Sequence, residues 1–207
     1  MEEYIHMKRE QIEWCHFYWF GTDRGDLPRV MLIGDSIIAG SAQEVANILK
    51  DKINIGYYST SKIVGDPAIY RELALALGEY ETDLIYFNNG LHGRNYDTDF
   101  YEDGLDKFTD YLKLVSRAKL VWRNSTPITI VGKPEELDLR PDGNPLVIER
   151  NEIAAKIMGK YKIPVDDVYS LLVKHPEYSS GDGFHYNQDG RIFIAGHIAD
   201  TIRKNLT

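Results

Sequence analysis

The chain reads as an α/β protein built on a mostly parallel central sheet. Short aliphatic or β-branched runs alternate with longer amphipathic stretches along most of the sequence, the pattern of parallel strands joined by right-handed helical crossovers. The polar residues that carry chemistry fall just after the apolar runs, where parallel strands end and ligands bind. At 207 residues, with 43% hydrophobic and 27% charged side chains, the chain is long enough for one domain with a sizeable core. Collagen-like, disordered and coiled-coil classes are excluded.

Taken in order, residues 10–20 are dense in aromatics, and the Gly21-to-Pro28 stretch after them reads as a turn. The aromatics are expected to pack as a lid over the edge of the core; lining a cleft is the other reading. Residues 1–27 are therefore expected as an aromatic-rich extension packed on a single domain spanning 28–207. The first strand is predicted over 29–34, ending in Gly34-Asp35-Ser36, and a helix over 40–50. A short strand over 53–58 precedes a helix running to Gly78, with Asp66 as N-cap and Pro67 at the first helical position. Leu84–Phe87 is the third strand. An amphipathic helix over 98–117 follows, with Phe100, Leu105, Phe108, Tyr111, Leu112 and Val115 on one face. The fourth strand is Leu120–Trp122. Residues 128–131 read as strand or extended loop after Pro127, and 134–145 as a charged, turn-rich excursion. A helix over 145–158, a strand over 165–169, a loop over 178–187 and a closing helix over 190–202 complete the chain.

The formal charge of −8, from 32 acidic against 24 basic residues, disfavours a nucleic-acid backbone as partner and suits neutral substrates. The lone cysteine, Cys15, forbids an internal disulfide and reads as a packed, unreactive thiol. Met1–His6 has no apolar signal core, and no run reaches transmembrane length. No membrane association is expected. The chain as given is expected to be cytoplasmic, or secreted or periplasmic if a signal peptide was removed.

Several residues converge on the predicted carboxyl rim of the sheet: Ser36 after the first strand, Asn88 and Asn89 after the third, Asn124 to Thr126 after the fourth, and Asp182 and His185 in the late loop. Serine becomes a nucleophile only when a base takes its proton. His185 is the best base, because Asp182 three residues earlier can hold its Nδ1 while Nε2 faces the serine. Gly181 and Gly183 allow that loop to bend. The bland reading of the Asp182/His185 pair is a loop cap. Acyl transfer also needs donors for the carbonyl oxygen; the Ser36 N–H, the Gly65 N–H and the Asn88 amide are candidates. Asn88-Asn89-Gly90 also suits a plain turn.

Gly34-Asp35-Ser36 in this setting, with Asp182-Gly-Phe-His185 late in the chain, resembles the SGNH (GDSL) hydrolases over about residues 28–204. The resemblance implies a three-layer α/β/α, flavodoxin-like fold and a serine carboxylic-ester hydrolase with a Ser36/His185/Asp182 triad. It implies an oxyanion hole of Ser36, Gly65 and Asn88, and neither cofactor nor metal. The family's Gly-x-Asn-Asp block is matched by Tyr86-Phe87-Asn88-Asn89; a second register puts His92 in the asparagine's place. The first register is preferred, because the strand ends there. Asp35, Asn89, His92 and Arg123 are candidates for substrate contact or support. Asp35 is expected to brace the turn, and Arg123 to orient a rim group or make a surface salt bridge. The Asn-Asn-Gly-Leu-His variant resembles bacterial members acting on carbohydrate O-acetyl esters. The expected substrate is then a small-molecule or oligosaccharide ester, with Trp14, Trp19 and Trp122 as candidate sugar contacts and Trp122 read first as core. The rival readings are a lipase-like or thioester acyl hydrolase, and a non-catalytic carbohydrate-binding protein.

Overall fold

Five of the six strands of the central sheet run parallel, because four of the apolar runs are buried on both faces and leave no side for water. The computed structural model describes residues 7–206. Its elements are β1 (Cys15–Phe20), β2 (Arg29–Gly34), α1 (Ser36–Leu49), β3 (Asn54–Thr60), α2 (Pro67–Gly78), β4 (Leu84–Phe87), α3 (Thr98–Val115), β5 (Lys119–Arg123), β6 (Thr129–Ile130), β7 (Lys133–Leu137), α4 (Asn144–Tyr161), β8 (Val165–Asp166), α5 (Val168–Leu172) and α6 (Gln188–Leu206). The sheet order is β1-β3-β2-β4-β5-β8, and only β1 is antiparallel to its neighbour.

Strand alternation divides the core. Val30 and Leu32 face α1 and α6, whereas Met31 and Ile33 face α2, α3 and α4. The architecture is the expected three-layer α/β/α sandwich. β2 sits between β3 and β4, so Ser36 emerges from the middle of the sheet.

Four expectations are corrected. Helix α1 begins at Ser36 itself, not near residue 40: the Asp35 carboxylate caps it by accepting from the Ile37 N–H at 2.9 Å. The β-branched pair Ile37-Ile38 disguises this start. The aromatic segment is not a separate lid. Its residues 15–20 join the sheet as β1, with Trp19 laid on Gly56, where an added Cβ would come within 2.7 Å of the indole. The predicted strand over 165–169 stops at Asp166, because Asp167 caps α5 by accepting from the Ser170 N–H. Part of the charged excursion is strand, since β6 and β7 pair as a hairpin. Residues 1–6 of the expected extension lie outside the described residues. No helix among the described residues is long and apolar enough to cross a membrane.

Trp122 is fully buried, edge-on to Phe87 at 5.1 Å. Cys15 lies exposed on the edge strand, yet burial of its sulfur, with Glu72 adding to the effect, pushes the thiol up to about 11.

Candidate active site

Ser36 is delivered by a tight strand-to-helix turn. Gly34 leaves no room for a side chain: a Cβ there would meet Ile38 at 2.5 Å. Asp35 is buried beneath the turn, with Oδ1 on the Ile37 N–H and 3.6 Å from the Arg123 guanidinium. Ser36 is half-buried at the first position of α1, where backbone N–H groups point outward and favour negative charge.

The late loop meets this turn. His185 Nε2 lies 2.8 Å from Ser36 Oγ, and His185 Nδ1 lies 2.6 Å from Asp182 Oδ2. The other oxygen of Asp182 accepts the backbone N–H groups of His185 and Phe184 at 2.8 and 2.9 Å. Burial alone would raise the Asp182 carboxyl, but those two N–H donors and the His185 ring hold it well below the usual carboxylate range. The loop takes this shape because Gly181 and Gly183 adopt φ of +85° and +91°. The β6–β7 hairpin braces it: the Thr129 N–H donates to the Gly183 carbonyl at 3.0 Å, and the Gly132 N–H to the Gly181 carbonyl at 2.8 Å.

Gly65 sits in the loop between β3 and α2 with φ of +93°, and a Cβ there would strike the Phe100 ring at 2.8 Å. Its N–H and that of Ser36 donate to no other described residue. The loop is fixed from two sides. The Asn89 amide bridges it, accepting from the Val64 N–H at 3.1 Å and donating to the Lys62 carbonyl at 2.7 Å. Gly104 of α3 lies so close that a Cβ would come within 2.7 Å of the Val64 carbonyl oxygen. Asn89 therefore supports the Gly65 loop and, being buried, does not face a ligand.

Asn88 does not take the place the sequence predicts for it. It is fully buried, and its Nδ2 donates to the Arg123 carbonyl at 2.7 Å and to Ser125 Oγ at 3.2 Å. Both amide hydrogens are spent inside the protein, so neither is left for an oxyanion. Its Oδ1 accepts from Arg123 Nη2 at 3.1 Å. Arg123 makes no surface salt bridge; it is a fully buried cation at the end of β5, between Asn88 and Asp35, and so supports rim groups from below. Tyr86, where the family block has glycine, fills the sheet's α1/α6 side and donates its hydroxyl to Asp166 Oδ2 at 2.7 Å.

His92 lies on the loop after β4, with its ring largely covered and its Nδ1 at 3.0 and 3.1 Å from the two oxygens of Glu10. Trp14 stands edge-on to it at 5.8 Å. Desolvation would lower this imidazole, but Glu10, Asp35 and Glu13 together hold it above its ordinary value. Two contributors are absent from the sequence reading: Glu10, and the buried Arg150 of α4, which donates to the carbonyls of Gly90, His92 and Gly93 at 2.8–3.0 Å. Arg150 carries a readable signal, as a lone charge midway between Val147 and Ile153 on the buried face of α4. Glu10 carries none.

A serine hydroxyl bonded to an imidazole that is itself bonded to a carboxylate, at a helix N-terminus with a second free N–H nearby, can perform nucleophilic acyl transfer. Neither a protein-family profile nor a curated protein matches the chain. Solved structures share its fold. An acetyl xylan esterase, AlAXEase, aligns with a TM-score of 0.70 at 17% identity, covering 84% of this chain and 99% of that one. Axe2, an acetylxylan esterase from Geobacillus stearothermophilus, aligns at 0.65 and 15%, covering 86% and 93%. A member of the lipolytic protein G-D-S-L family from Veillonella parvula DSM 2008 aligns at 0.66 and 16%, covering 85% and 98%.

Proposed function

We propose that this chain, which has the three-layer fold of the SGNH (GDSL) hydrolases, is a serine ester hydrolase that removes an acetyl or other small acyl group from an O-acylated carbohydrate. The hydrogen-bonded line Ser36 Oγ–His185 Nε2, His185 Nδ1–Asp182 carries the reading. His185 takes the Ser36 proton as Oγ bonds to the ester carbonyl carbon. The carbonyl oxygen gains the negative charge, facing the Ser36 and Gly65 N–H groups. Collapse of that intermediate breaks the bond to the leaving oxygen, which receives the proton from His185 Nε2. Water then adds to the acyl-enzyme, losing a proton to His185, and Ser36 regains that proton as the carboxylic acid leaves. Asp182 keeps the ring oriented and stabilises its charged form; it remains a carboxylate throughout.

The acetylated-carbohydrate substrate is supported by two fold neighbours named as acetyl xylan esterases and by the tryptophan edge at the rim, Trp14 against His92. Hydrolysis of 4-nitrophenyl acetate, butyrate and octanoate, measured beside Ser36→Ala, tests both levels. Wild-type turnover that disappears in the variant supports the nucleophile; equal rates in both overturn it. A steep decline with acyl length supports the small-acyl reading, and a rise toward octanoate replaces it with a lipase-like one.

A further inference from the structure

The site as described has two backbone donors for an oxyanion and no third, because Asn88 is used up inside the protein. A side chain of different chemistry stands on the same rim. We propose, resting on the hydrolase reading above, that His92 is the third oxyanion donor through Nε2–H. Glu10 of the N-terminal segment is the positioning residue that holds its Nδ1.

The loop carrying His92 is built rigidly. Arg150 grips three of its carbonyls. Gly90 is pressed on Ser125, where a Cβ would lie 2.0 Å from Oγ, and Gly93, with φ of +62°, is pressed on Ile63 of the Gly65 loop. The Asn88 N–H bonds the Ile33 carbonyl at 2.9 Å, which ties the loop to the strand delivering Ser36. On the far side, the Arg94 guanidinium stacks 5.0 Å over Phe184, the neighbour of His185. His92 thus lies between the Gly65 loop and the His185 loop.

Its two nitrogens are treated differently. Nδ1 meets the Glu10 carboxylate. Nε2 bonds no other described residue and is not sealed from solvent. Glu10 is itself fixed: it accepts from the Gly93 N–H at 3.3 Å, and the preceding Arg9 makes a two-point bond to Asp66 at 2.8 and 3.0 Å. A carboxylate only accepts hydrogen bonds, so it claims a proton on Nδ1; Nε2 then carries one only in the imidazolium form. The charges around the ring favour that form. Glu10 and Glu13 face it from the N-terminal segment and Asp35 from the β2–α1 turn. Of the nearby cations, Arg94 is engaged with Asp142 and Phe184, and Arg150 bonds the loop carbonyls. A positive donor beside a developing oxyanion stabilises the transition state more than the neutral ester.

The test measures kcat, KM and their pH profiles on 4-nitrophenyl acetate for wild type, His92→Leu, His92→Asn and Glu10→Gln. Labelling of Ser36 by a fluorophosphonate, read by intact mass, runs in parallel. His92→Leu should lower kcat by about 10²–10³-fold with little change in KM, and His92→Asn, which restores an N–H donor, should recover part of the loss. Glu10→Gln removes the charge that favours imidazolium, so the alkaline limb of kcat should move down by about one pH unit. A wild type that is active and labelled, with a folded His92→Leu of unchanged kcat, overturns the His92 assignment alone. Should His92→Leu not fold, an unmoved alkaline limb in Glu10→Gln does the same. A wild type that is neither active nor labelled overturns the hydrolase reading and this proposal with it.

Discussion

Asn88→Ala separates a structural asparagine from a catalytic one. The side chain donates two hydrogen bonds and accepts one, all in the interior. Truncation leaves three groups short of a partner: the Arg123 carbonyl, the Ser125 hydroxyl and Arg123 Nη2. An unsatisfied buried group costs about 1–3 kcal/mol. Taking the low end for each, because neighbours relax into the space, the total is about 3 kcal/mol. For a chain of 207 residues that lowers Tm by roughly 6–12 °C. Loss of an oxyanion donor has the opposite signature, a kcat reduced by about 10²–10³-fold with stability little changed. Thermal denaturation by circular dichroism, paired with kcat at 25 °C on the folded variant, reads both. The expected result is a Tm depressed by that amount and a kcat within about tenfold of wild type, below the span of a lost oxyanion donor. An unchanged Tm with a hundredfold loss of kcat refutes the reasoning and returns Asn88 to the oxyanion hole.

Two further predictions concern the rim and the core. Gly65→Ala forces a side chain into a backbone of φ +93° and against Phe100, a local strain of about 1–3 kcal/mol. The loop should shift its N–H, lowering kcat by about 10²-fold while Tm falls only a few degrees; an unchanged kcat removes Gly65 from the site. His197, bonded to Asp166 at 2.6 Å, has its pKa raised chiefly by that bond. A raised folded-state value means the contribution is fully present below the unfolded value of 6.5 and is lost as pH rises through the folded one. Tm should therefore decline as pH is raised above neutrality, and His197→Gln should flatten that slope; an identical slope in the variant excludes His197 as its source.

The parts of this fold that can be read from sequence are those whose environment is uniform. β2 and β4 are apolar along their length because both faces are covered, and α2 announces itself through Asp66-Pro67. β1 is harder to see because an edge strand alternates half-buried aromatics with exposed positions and looks like neither class. β7, Lys-Pro-Glu-Glu-Leu, is mostly exposed and borrows its strand character from pairing with β6. The site divides the same way. Ser36, Asp182 and His185 belong to short local motifs whose geometry is largely set within a few residues. The engagement of Asn88 depends on a carbonyl 35 positions away, and the tie between His92 and Glu10 spans 82. Neither separation leaves a periodicity or a turn signature to read.

These long-range ties have a common character. The Ser36 turn, the Gly65 loop and the His92 loop lean on buried cations and amides, whereas the His185 loop is braced by backbone bonds. Arg123 lies under the Ser36 turn with Asn88 and Asp35 as its partners, and its Nε and Nη1 have none among the described residues. Among the described residues no carboxylate is bonded to Arg150. Its Nη1 and Nη2 donate to three carbonyls and its guanidinium lies 4.8 Å over the face of Tyr101, while its buried Nε has no partner among the described residues; burial lowers its pKa. Buried charges held this way cost stability compared with apolar side chains of similar size. The compensation lies in what they fix: Arg123 braces the turn that presents Ser36, and Arg150 fixes the loop that presents His92. An electrostatic site works only if its donors are aimed before charge develops, since reorganising them during the reaction would consume the stabilisation they provide. Two buried arginines, each beneath one rim loop, are therefore read as ties that hold a polar rim still. The same logic accounts for Asn88 and Asn89 serving as internal ties, which leaves the outward position to an imidazole.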